Sequence, residues 1–245
     1  MRNDSTISVC MTVFSQSNYL KEQLRSILNQ SVRIDELVVF EDFSGKESPK
    51  KYFESACHKE NLKLIYKTSE KNIGPAQSFQ QVIKASTGDI IFLSDHDDIW
   101  HEDRIREALS FHKNYDLVVI NGQKFETNSD IYSSGSSPYN RIYHNLKFNL
   151  LKLIFRNEII GATMSIKGDA ARLLASRINF NPMHDWVIVI AFLTLNKKMK
   201  FLDLDLIQYR RHKHTFTGNK KNNLLTRIRF RFLIIYTMLR VFMFK

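Results

Sequence analysis

Three carboxylates follow a short apolar stretch near the middle of the chain. The segment reads Ile90-Ile-Phe-Leu-Ser-Asp95-His-Asp97-Asp98, so the acids come directly after large aliphatic and aromatic residues. Clustered carboxylates repel one another unless a cation neutralises them, and Mg²⁺ or Mn²⁺ prefers such oxygen ligands, usually shared with substrate phosphates. The cluster therefore predicts a Mn²⁺ or Mg²⁺ site that holds a diphosphate and neutralises its charge as it leaves. The alternative is a solvated acidic turn, or acids that decorate a helix N-terminus.

A further carboxylate, Asp185, lies just after Pro182 at the start of a strongly apolar stretch. A helix N-terminus would stabilise its negative charge, whereas partial burial beside Trp186 would raise its pKa. Such a carboxylate can act as a general base when it lies within hydrogen-bond reach of an acceptor hydroxyl. The alternative is an N-terminal helix cap with no role in chemistry.

The elements that must position these acids alternate in the first half of the chain. Apolar patterns predict strands at residues 7–13, 36–40, 62–66, 90–93 and 117–120, and helical spacing predicts helices at 18–28, 49–59, 75–85 and 102–112. Such alternation predicts an α/β fold in which helices cover a mostly parallel sheet. In open α/β sheets, ligands bind beyond the carboxyl ends of the strands. The acids that follow the fourth strand therefore lie where a ligand is expected.

The second half of the chain has a less regular pattern. Residues 121–140 are rich in Ser, Gly and Asn and predict turns or a mobile loop. Beyond them we expect helices at 146–155, 184–195 and 222–245, a short strand at 162–166 and an edge strand at 201–209. The longest charge-free run of the last helix, residues 232–239, is too short to cross a bilayer.

The positive charge of the chain is concentrated at its end. The formal net charge is +11, and residues 197–245, with 13 Lys and Arg against two acids, account for the whole excess. A nucleic-acid-binding domain would more often spread its charge over a folded face, so nucleic acid is not an expected partner. A basic tail rich in large apolar residues favours an anionic membrane surface. Packing against the body or against a second subunit is the alternative.

Several ordered motifs between residues 7 and 215 resemble family 2 of the glycosyltransferases, which have the nucleotide-sugar-binding fold called GT-A. The resemblance is strongest to the rhamnosyltransferase-like branch that builds bacterial surface polysaccharides. Besides the acid cluster, the motifs are Ser8-Val-Cys-Met-Thr12-Val-Phe14-Ser, Glu36-Leu-Val-Val-Phe-Glu41-Asp42-Phe-Ser44, Asn72-Ile-Gly74, Gly161-Ala-Thr-Met, His184-Asp185-Trp186 and Tyr209-Arg210-Arg211-His212. Such an ordered set is more specific than one Asp-x-Asp pattern.

The resemblance implies a nucleotide site after the first two strands. Thr12 and Phe14 would line the base pocket, where an aromatic face can stack on a pyrimidine. Asp42 would accept hydrogen bonds from the nucleoside, with Glu41 beside it. The family usually has two aspartates followed by a glycine here, so Glu41 and Phe43 are departures, and Phe43 leaves the local turn geometry open.

The resemblance also assigns residues to the diphosphate, the metal and the sugars. Asn72 and Gly74 would belong to a loop that touches the donor, and Arg210 would face the diphosphate, which suits a planar guanidinium. The residues that would hold the metal are Asp95, Asp97 and His212, of which Asp95 would also contact the donor. Residues expected near the donor or acceptor sugar are Asp98, Trp100, Gly161, Ala162, His184 and Trp186, although packing is favoured for both tryptophans. Asp185 would be the catalytic base.

These assignments imply an inverting glycosyltransferase. Residues 1–215 would form the GT-A domain, with a nucleotide-sugar-binding half at 1–120 and an acceptor-binding half at 121–215, and a basic amphipathic tail would follow at 216–245. The resemblance implies a dTDP-rhamnose-type donor and a lipid-linked oligosaccharide acceptor in O-antigen or capsule synthesis. A UDP-hexose or UDP-N-acetylhexosamine donor is the alternative.

Two other functions are alternatives on the same fold. A nucleotidyltransferase would carry a glycine-rich basic loop after the first strand, where this chain reads Phe14-Ser-Gln-Ser-Asn. A non-catalytic membrane adaptor would have no need of the acid pair and Asp185. Cys10 and Cys57 offer no disulfide framework and indicate a reducing compartment. We therefore expect a cytoplasmic enzyme bound peripherally to the inner face of the cell membrane, and a homo-oligomer is left open.

Overall fold

The computed structural model describes residues 5–14, 18–43, 45, 47–126, 140–211 and 223–244. Its strands are β1 (Ile7–Val13), β2 (Glu36–Glu41), β3 (Lys63–Thr68), β4 (Ile90–Ser94), β5 (Ile99–Trp100), β6 (Leu117–Glu126), β7 (Met164–Lys167) and β8 (Met199–Arg211). Its helices are α1 (Asn18–Leu28), α2 (Lys50–Lys59), α3 (Pro75–Ala85), α4 (Arg104–His112), α5 (Leu150–Phe155), α6 (Gly168–Arg177), α7 (His184–Thr194) and α8 (Leu224–Phe242). The described strands form one eight-stranded sheet in the order β3-β2-β1-β4-β7-β6-β8-β5.

The first half of the sheet is parallel. β3, β2, β1 and β4 are neighbours and run in the same direction. β1, with the sequence ISVCMTV, is buried along its whole length, because both faces of a parallel sheet are covered and neither is exposed to solvent. Val13 is opposite Glu41 and Met11 is opposite Ser94, so β1, β2 and β4 end together. This carboxyl edge, formed by the ends of β1, β2 and β4, receives the residues that follow each strand.

The second half of the sheet contains antiparallel pairings. β7 pairs antiparallel with both β4 and β6, and β8 lies between β6 and β5. The prediction of an edge strand at 201–209 was therefore wrong. The strand that covers its outer side, β5, has only two residues, which give no periodic pattern in the sequence. β6 also continues to Glu126, because its polar end pairs with β8.

Two helices differ from their predicted form. α5 begins at Leu150 and not at residue 146, because Asn149 caps it: Lys152 N donates to Asn149 Oδ1 at 3.0 Å. α6 was not predicted. It packs against α3, and its buried residues include small ones such as Ala171 and Ala175, which give a weak apolar signal.

The described part of the tail confirms the predicted final helix. Asn223 caps α8, since Thr226 N donates to its Oδ1 at 2.8 Å. α8 packs against α7 and α5. Within the described ranges, no helix is both long enough and apolar enough to cross a bilayer. The first residues of the predicted tail, up to residue 222, lie outside the described residues.

A buried carboxylate joins the amino ends of the central strands. Glu36 is 2% exposed and accepts hydrogen bonds from Ser8 Oγ (2.6 Å), Thr87 N (2.5 Å) and Thr87 Oγ1 (2.7 Å). Lys63 Nζ lies 2.8 Å from its Oε2 atom. Burial alone would raise the pKa of Glu36, but the hydrogen bonds from Lys63, Ser8 and Thr87 outweigh it and lower the pKa from 4.5 to about 2. The ionised form therefore stabilises the folded state.

We expect Glu36→Gln to lower the free energy of unfolding at neutral pH by about 3 kcal/mol, since each pKa unit corresponds to about 1.4 kcal/mol. Because the folded-state pKa is lowered, this stabilisation is present above pH 4.5 and is lost as the pH falls towards about 2. Urea unfolding of both proteins at neutral pH and in acid measures it. Glu54→Gln, which removes an exposed carboxylate paired with Lys50, is the matched control. Equal losses in the two variants, or a loss that does not shrink in acid, would contradict the role of Glu36.

Candidate active site

Three aspartates form a turn at the end of β4, here termed the acid turn (residues 95–98). Asp95 and Asp97 are half-buried, whereas Asp98 is fully buried and accepts a hydrogen bond from Arg210 N at 3.0 Å. Ser94 Oγ donates to Asp95 O at 2.8 Å and so fixes the start of the turn. Asp98 Oδ2 has no hydrogen-bond partner among the described residues. The predicted acids therefore do lie at the carboxyl edge of the sheet.

Negative charge accumulates at the acid turn. Burial raises the pKa of Asp95 to about 7, with further contributions from the charges of Asp97 and Asp185. Burial also raises the pKa of Asp98 well above its usual range, with Asp97 and Asp95 acting in the same direction. A nearby cation favours the ionised form of a carboxyl group, so the electrostatics of the turn fit a divalent ion.

The described residues of the protein can supply only part of the ligand set of such an ion. The described residues contain no group of three or more His, Cys, Asp or Glu side chains that could hold a metal by itself. Mg²⁺ is often bound by one or two carboxylates, with waters and substrate phosphates completing its coordination. Asp95 and Asp97 can supply those two carboxylates. The third predicted ligand, His212, lies outside the described residues.

Asp185 lies in the first turn of α7 and is 5% exposed. Its Oδ1 atom accepts hydrogen bonds from Trp186 N at 2.7 Å and from Asn157 Nδ2 at 2.9 Å. Burial raises the pKa of Asp185 to about 7, although hydrogen bonds from the Trp186 backbone, Asn157 and the Gly161 backbone oppose the rise. A pKa near the working pH is what a general base needs. Asn157 was not among the predicted site residues.

The candidate base and the candidate metal ligands interact electrostatically. The charge of Asp185 contributes to the raised pKa of Asp95, after burial and the charge of Asp97. Repulsion between charges falls with distance, so the two carboxylates lie close enough to affect each other. They are far apart in the sequence, and the fold brings them together.

Arg104 supplies a buried positive charge next to the acid turn, and sequence reasoning missed it. Its side chain is 1% exposed, and Nη2 donates to Ala162 O at 2.6 Å and to Leu93 O at 3.3 Å. The guanidinium carbon lies 3.6 Å from the centre of the Trp100 ring. Burial lowers the pKa of Arg104 to about 9, and the acid turn opposes that change. In the sequence, the sign of this role is the group of acids shortly before Arg104, which a buried cation could neutralise.

Arg210, near the end of β8, donates hydrogen bonds to the acid turn. The side chain is 5% exposed, Nε donates to Asp97 O at 2.7 Å, and Nη2 pairs with Glu22. The guanidinium lies between the rings of Tyr19 and Phe125, 4.3 and 4.6 Å from their centres. These contacts hold the turn in place. The predicted contact of Arg210 with a diphosphate stays a prediction.

Asp42 organises the predicted donor loop. It follows β2, is 4% exposed, and accepts hydrogen bonds from Ile73 N and Gly74 N, both at 2.8 Å, and from Ser69 Oγ at 3.1 Å. Gly74 has a φ of +80°, a conformation that favours glycine, and Pro75 then begins α3. Asp42 therefore fixes the entry to α3 at the carboxyl edge.

The other predicted donor residues lie around this loop. Thr12 is near the end of β1 and is 8% exposed, and Phe14 follows with 48% of its surface exposed, so its ring is accessible to a base. Glu41 is buried, and Tyr66 OH donates to its Oε2 at 2.9 Å. Asn72 is exposed. Their contacts with a nucleotide remain predictions.

Phe43, where the family usually has glycine, does not strain the backbone. Among the described non-glycine residues, only Asn61 and Asn196 have a positive φ. Gly45, two residues further along, has a φ of +70°, a conformation that favours glycine.

Most of the predicted sugar contacts are packed inside the protein. The His184 ring stacks on Phe79 with centres 3.9 Å apart, and burial lowers the pKa of His184 to about 3. A Cβ atom at Gly161 would lie 2.1 Å from His184 Nε2, so this close packing requires glycine. Trp100 and Trp186 are 4% and 5% exposed, in agreement with the packing interpretation. Contacts of these residues with a sugar stay predictions.

A family model places this site within a known group. The model for glycosyl transferase family 2 matches residues 8–170, which is more than half of the chain. The chain therefore belongs to glycosyltransferase family 2, as its motifs predicted. This membership favours glycosyl transfer over the nucleotidyltransferase alternative.

Individual relatives agree with this membership. An uncharacterised glycosyltransferase of Rickettsia conorii is 28% identical over 147 residues, and the match covers 56% of this chain but only 24% of that protein. Staphylococcus aureus TarS 1–349 in complex with UDP-GlcNAc has a TM-score of 0.71 at 15% identity, covering 95% of this chain and 66% of its own. The mannosyltransferase PcManGT from Pyrobaculum calidifontis, in complex with GDP-Man and Mn²⁺, has a TM-score of 0.62 at 13% identity, covering 87% and 59%. The two structures identify the fold as GT-A and confirm the predicted architecture.

We expect Asp185→Asn to stabilise the metal-free protein at alkaline pH by roughly 2–4 kcal/mol. The folded-state pKa of Asp185 is raised from 3.8 to about 7, so its contribution to stability is full below pH 3.8 and is lost as the pH rises through about 7. Asparagine keeps an oxygen acceptor at this position without the charge. Thermal unfolding in EDTA at about pH 8 and about pH 4 measures the difference, which should nearly vanish in acid.

The fully exposed Asp169 provides the control variant, Asp169→Asn. Its melting temperature should differ little from that of the wild type at either pH. A gain from Asp185→Asn that is the same at both pH values would refute a buried charge at this position.

Proposed function

We propose that the chain is an inverting glycosyltransferase that moves a sugar from a nucleoside-diphosphate donor to an acceptor hydroxyl. The observation that carries this proposal is the electrostatic interaction between Asp185, on α7, and Asp95, in the acid turn. It supports a candidate base near candidate metal ligands, which is the arrangement that we propose for a single displacement. Family membership supports the reaction class.

In the proposed reaction, Asp185 accepts the proton of the acceptor hydroxyl while that oxygen attacks the anomeric carbon. The bond to the diphosphate breaks on the opposite face, so the configuration is inverted. Asn157 and the Trp186 N–H hold the carboxylate in one orientation, which lowers the cost of reaching the reactive geometry. A divalent cation on Asp95 and Asp97, when bound, would supply the positive charge that stabilises the leaving diphosphate.

We place the donor at the carboxyl edge within residues 1–120, with Phe14 against the base, and the acceptor against residues 121–215. A dTDP-rhamnose-type sugar is the proposed donor. UDP-hexoses and UDP-N-acetylhexosamines are the alternatives, since TarS was solved with UDP-GlcNAc. A thermal-shift panel of nucleotide sugars with Mn²⁺ separates them, because a bound ligand raises apparent stability by mass action.

We further propose a lipid-linked oligosaccharide of O-antigen or capsule synthesis as the acceptor, used by a peripheral protein at the cytoplasmic face of the membrane. Two features support membrane contact: the basic excess at the end of the chain and the exposed apolar residues of α8. An acceptor with a lipid anchor would be presented at that same surface.

Replacing a metal ligand tests the donor site. We expect Asp97→Ala to abolish the gain in donor affinity that Mn²⁺ gives the wild type, because Asp97 is one of the two carboxylates that we propose hold the ion. Calorimetric titration of the best donor, with and without Mn²⁺, measures this gain. Asp169→Ala is the matched control and should keep it. An unchanged dependence on Mn²⁺ in Asp97→Ala would remove Asp97 from the metal site.

Replacing the base tests the chemical step. We expect Asp185→Asn to bind the donor normally but to lose at least about 100-fold in transfer rate, because general bases contribute factors of that order. The wild-type rate should rise with pH through a midpoint at or below about 7 and then level off, since Asp185 must be ionised and a bound cation favours ionisation. Single-turnover transfer across a pH series measures both. Near-normal turnover by Asp185→Asn would rule out Asp185 as the base.

A further inference from the structure

A groove of about 670 Å³ lies between α8 and the segment that links α6 to α7. Three arginines line it: Arg177 at the end of α6, and Arg229 and Arg240 on α8. The described residues that line this arginine groove include no Asp or Glu. Asn179, Asn181 and Tyr236 add polar groups to its wall. The groove is therefore strongly cationic and rich in hydrogen-bond donors.

Among the described residues, none of the three guanidinium groups forms an ion pair with a carboxylate. All three residues are exposed. In the described part of the chain, the arginines that pair with carboxylates are others, namely Arg106, Arg141, Arg172 and Arg210. Arg177 instead lies over the Phe244 ring, 5.3 Å from its centre. Guanidinium groups in such a cluster match the geometry of phosphate oxygens.

An apolar surface lies on the same helix. The residues of this apolar stripe follow a 3–4 spacing along α8, and each is at least 40% exposed: Leu225, Ile228, Phe232, Ile235, Leu239 and Phe242. The buried residues of α8, Ile234, Thr237 and Val241, form its other side. Leu151 and Phe155 of α5, 72% and 63% exposed, extend the apolar surface beside the helix. Apolar patches of this kind usually mark an interaction surface.

Charge decides between two occupants of this surface. A 3–4 spacing would also suit pairing with α8 of a second copy. However, α8 carries four arginines and neither Asp nor Glu, so a pair of these helices would bring like charges together without compensation. A membrane with anionic headgroups complements both features, since the apolar stripe can enter the acyl boundary while the arginines meet phosphates.

The groove is also next to the helix that carries the candidate base. Asn181 and Pro182 line it, and α7 begins two residues later with His184 and Asp185. α8 packs directly on α7. A headgroup in the groove would therefore be held beside the acceptor side of the site.

We propose that the arginine groove binds the phosphate group of an anionic lipid while the apolar stripe of α8 enters the acyl boundary of the membrane. Only the location at a membrane rests on the function proposed above. The groove needs neither donor nor turnover, so its test is independent of catalysis.

Flotation of the full chain with vesicles tests the groove. The vesicles contain phosphatidylcholine alone, phosphatidylcholine with phosphatidic acid, or phosphatidylcholine with oleate at a matched surface charge. We expect the wild type to prefer phosphatidic acid over oleate at least about fivefold, because guanidinium groups match phosphate better than a lone carboxylate. Equal binding to the two anionic vesicles would mean that surface charge alone acts, and would overturn the phosphate site.

A triple variant tests the three arginines together. Replacing each by glutamine should weaken binding to phosphatidic acid vesicles roughly 10- to 100-fold, since each cation near an anionic surface contributes on the order of tenfold or less. The control removes the same charge at exposed lysines on α2, at the end of α3 and after α4: Lys59→Gln, Lys84→Gln and Lys113→Gln. The control should lose less than about threefold. Equal losses in the two triple variants would overturn the proposal.

Further measurements keep the outcomes separate. The triple variant should retain the wild-type melting temperature and donor affinity, since its arginines are exposed, and Asp97→Ala should bind vesicles as the wild type does. If the triple variant unfolds, the preference of the wild type for phosphatidic acid over oleate still tests whether the groove binds phosphate. Binding of inorganic pyrophosphate to the groove, with no vesicle binding, would replace the lipid by a free phosphate compound. Concentration-dependent dimerisation without vesicle binding would assign the stripe to a second copy.

Discussion

The burial of several carboxyl groups at the carboxyl edge of the sheet is the constraint on which the rest of this structure depends. Asp95, Asp97 and Asp98 come from the end of β4, and Asp185 approaches them from α7. Buried like charges are costly unless something opposes them. Arg104 is a buried cation whose charge opposes theirs, and Arg210 is a second buried arginine that contacts the acid turn. Much of the local architecture serves to hold this cluster in place.

The supports of the cluster come from distant parts of the chain. Arg210 at the end of β8 binds the backbone of the acid turn and reaches Glu22 on α1. Asn157 and the start of α7 fix Asp185. A site held from several elements keeps its geometry even though its charges repel, and such sites commonly trade stability for function. Burial is the main cause of the high pKa values of both Asp95 and Asp185.

The sequence predicted the parts of this molecule that repeat a pattern. The strands β1 to β4 and the helices between them agree closely with their apolar periodicity, and the carboxyl-edge position of Asp95 follows from parallel topology. The two-residue β5 and the small-residue helix α6 carry too little pattern to be found. The strand order in the second half of the sheet could not be predicted either. β8 is an inner strand only because it pairs with β5, which is too short to give a pattern in the sequence.

The site was predicted unevenly for a related reason. Acids that follow a strand are visible in a sequence, but the partners that determine their charge state are not. Arg104 looks like a solvated helix residue until the fold places it under Trp100. Asn157 lies in an irregular segment with no pattern of its own. The proposed role of Arg210 at a phosphate came from the family resemblance, and its contacts with the acid turn and Glu22 have no signal in the sequence.

Arg104 both joins two parts of the backbone and counters the charge of the acid turn, and this limits which substitutions the position can accept. Its Nη2 atom joins Leu93 O, at the end of β4, to Ala162 O, in the 3₁₀ turn Gly161–Thr163 before β7. The same group counters the negative charge of the acid turn. A lysine would keep the charge but would lose the planar guanidinium, which lies over the Trp100 ring and donates to both carbonyls. A substitution that looks conservative would therefore break the hydrogen-bonded link between β4 and the turn before β7. At this position, the tolerance of the fold to mutation and that of the site's electrostatics are linked.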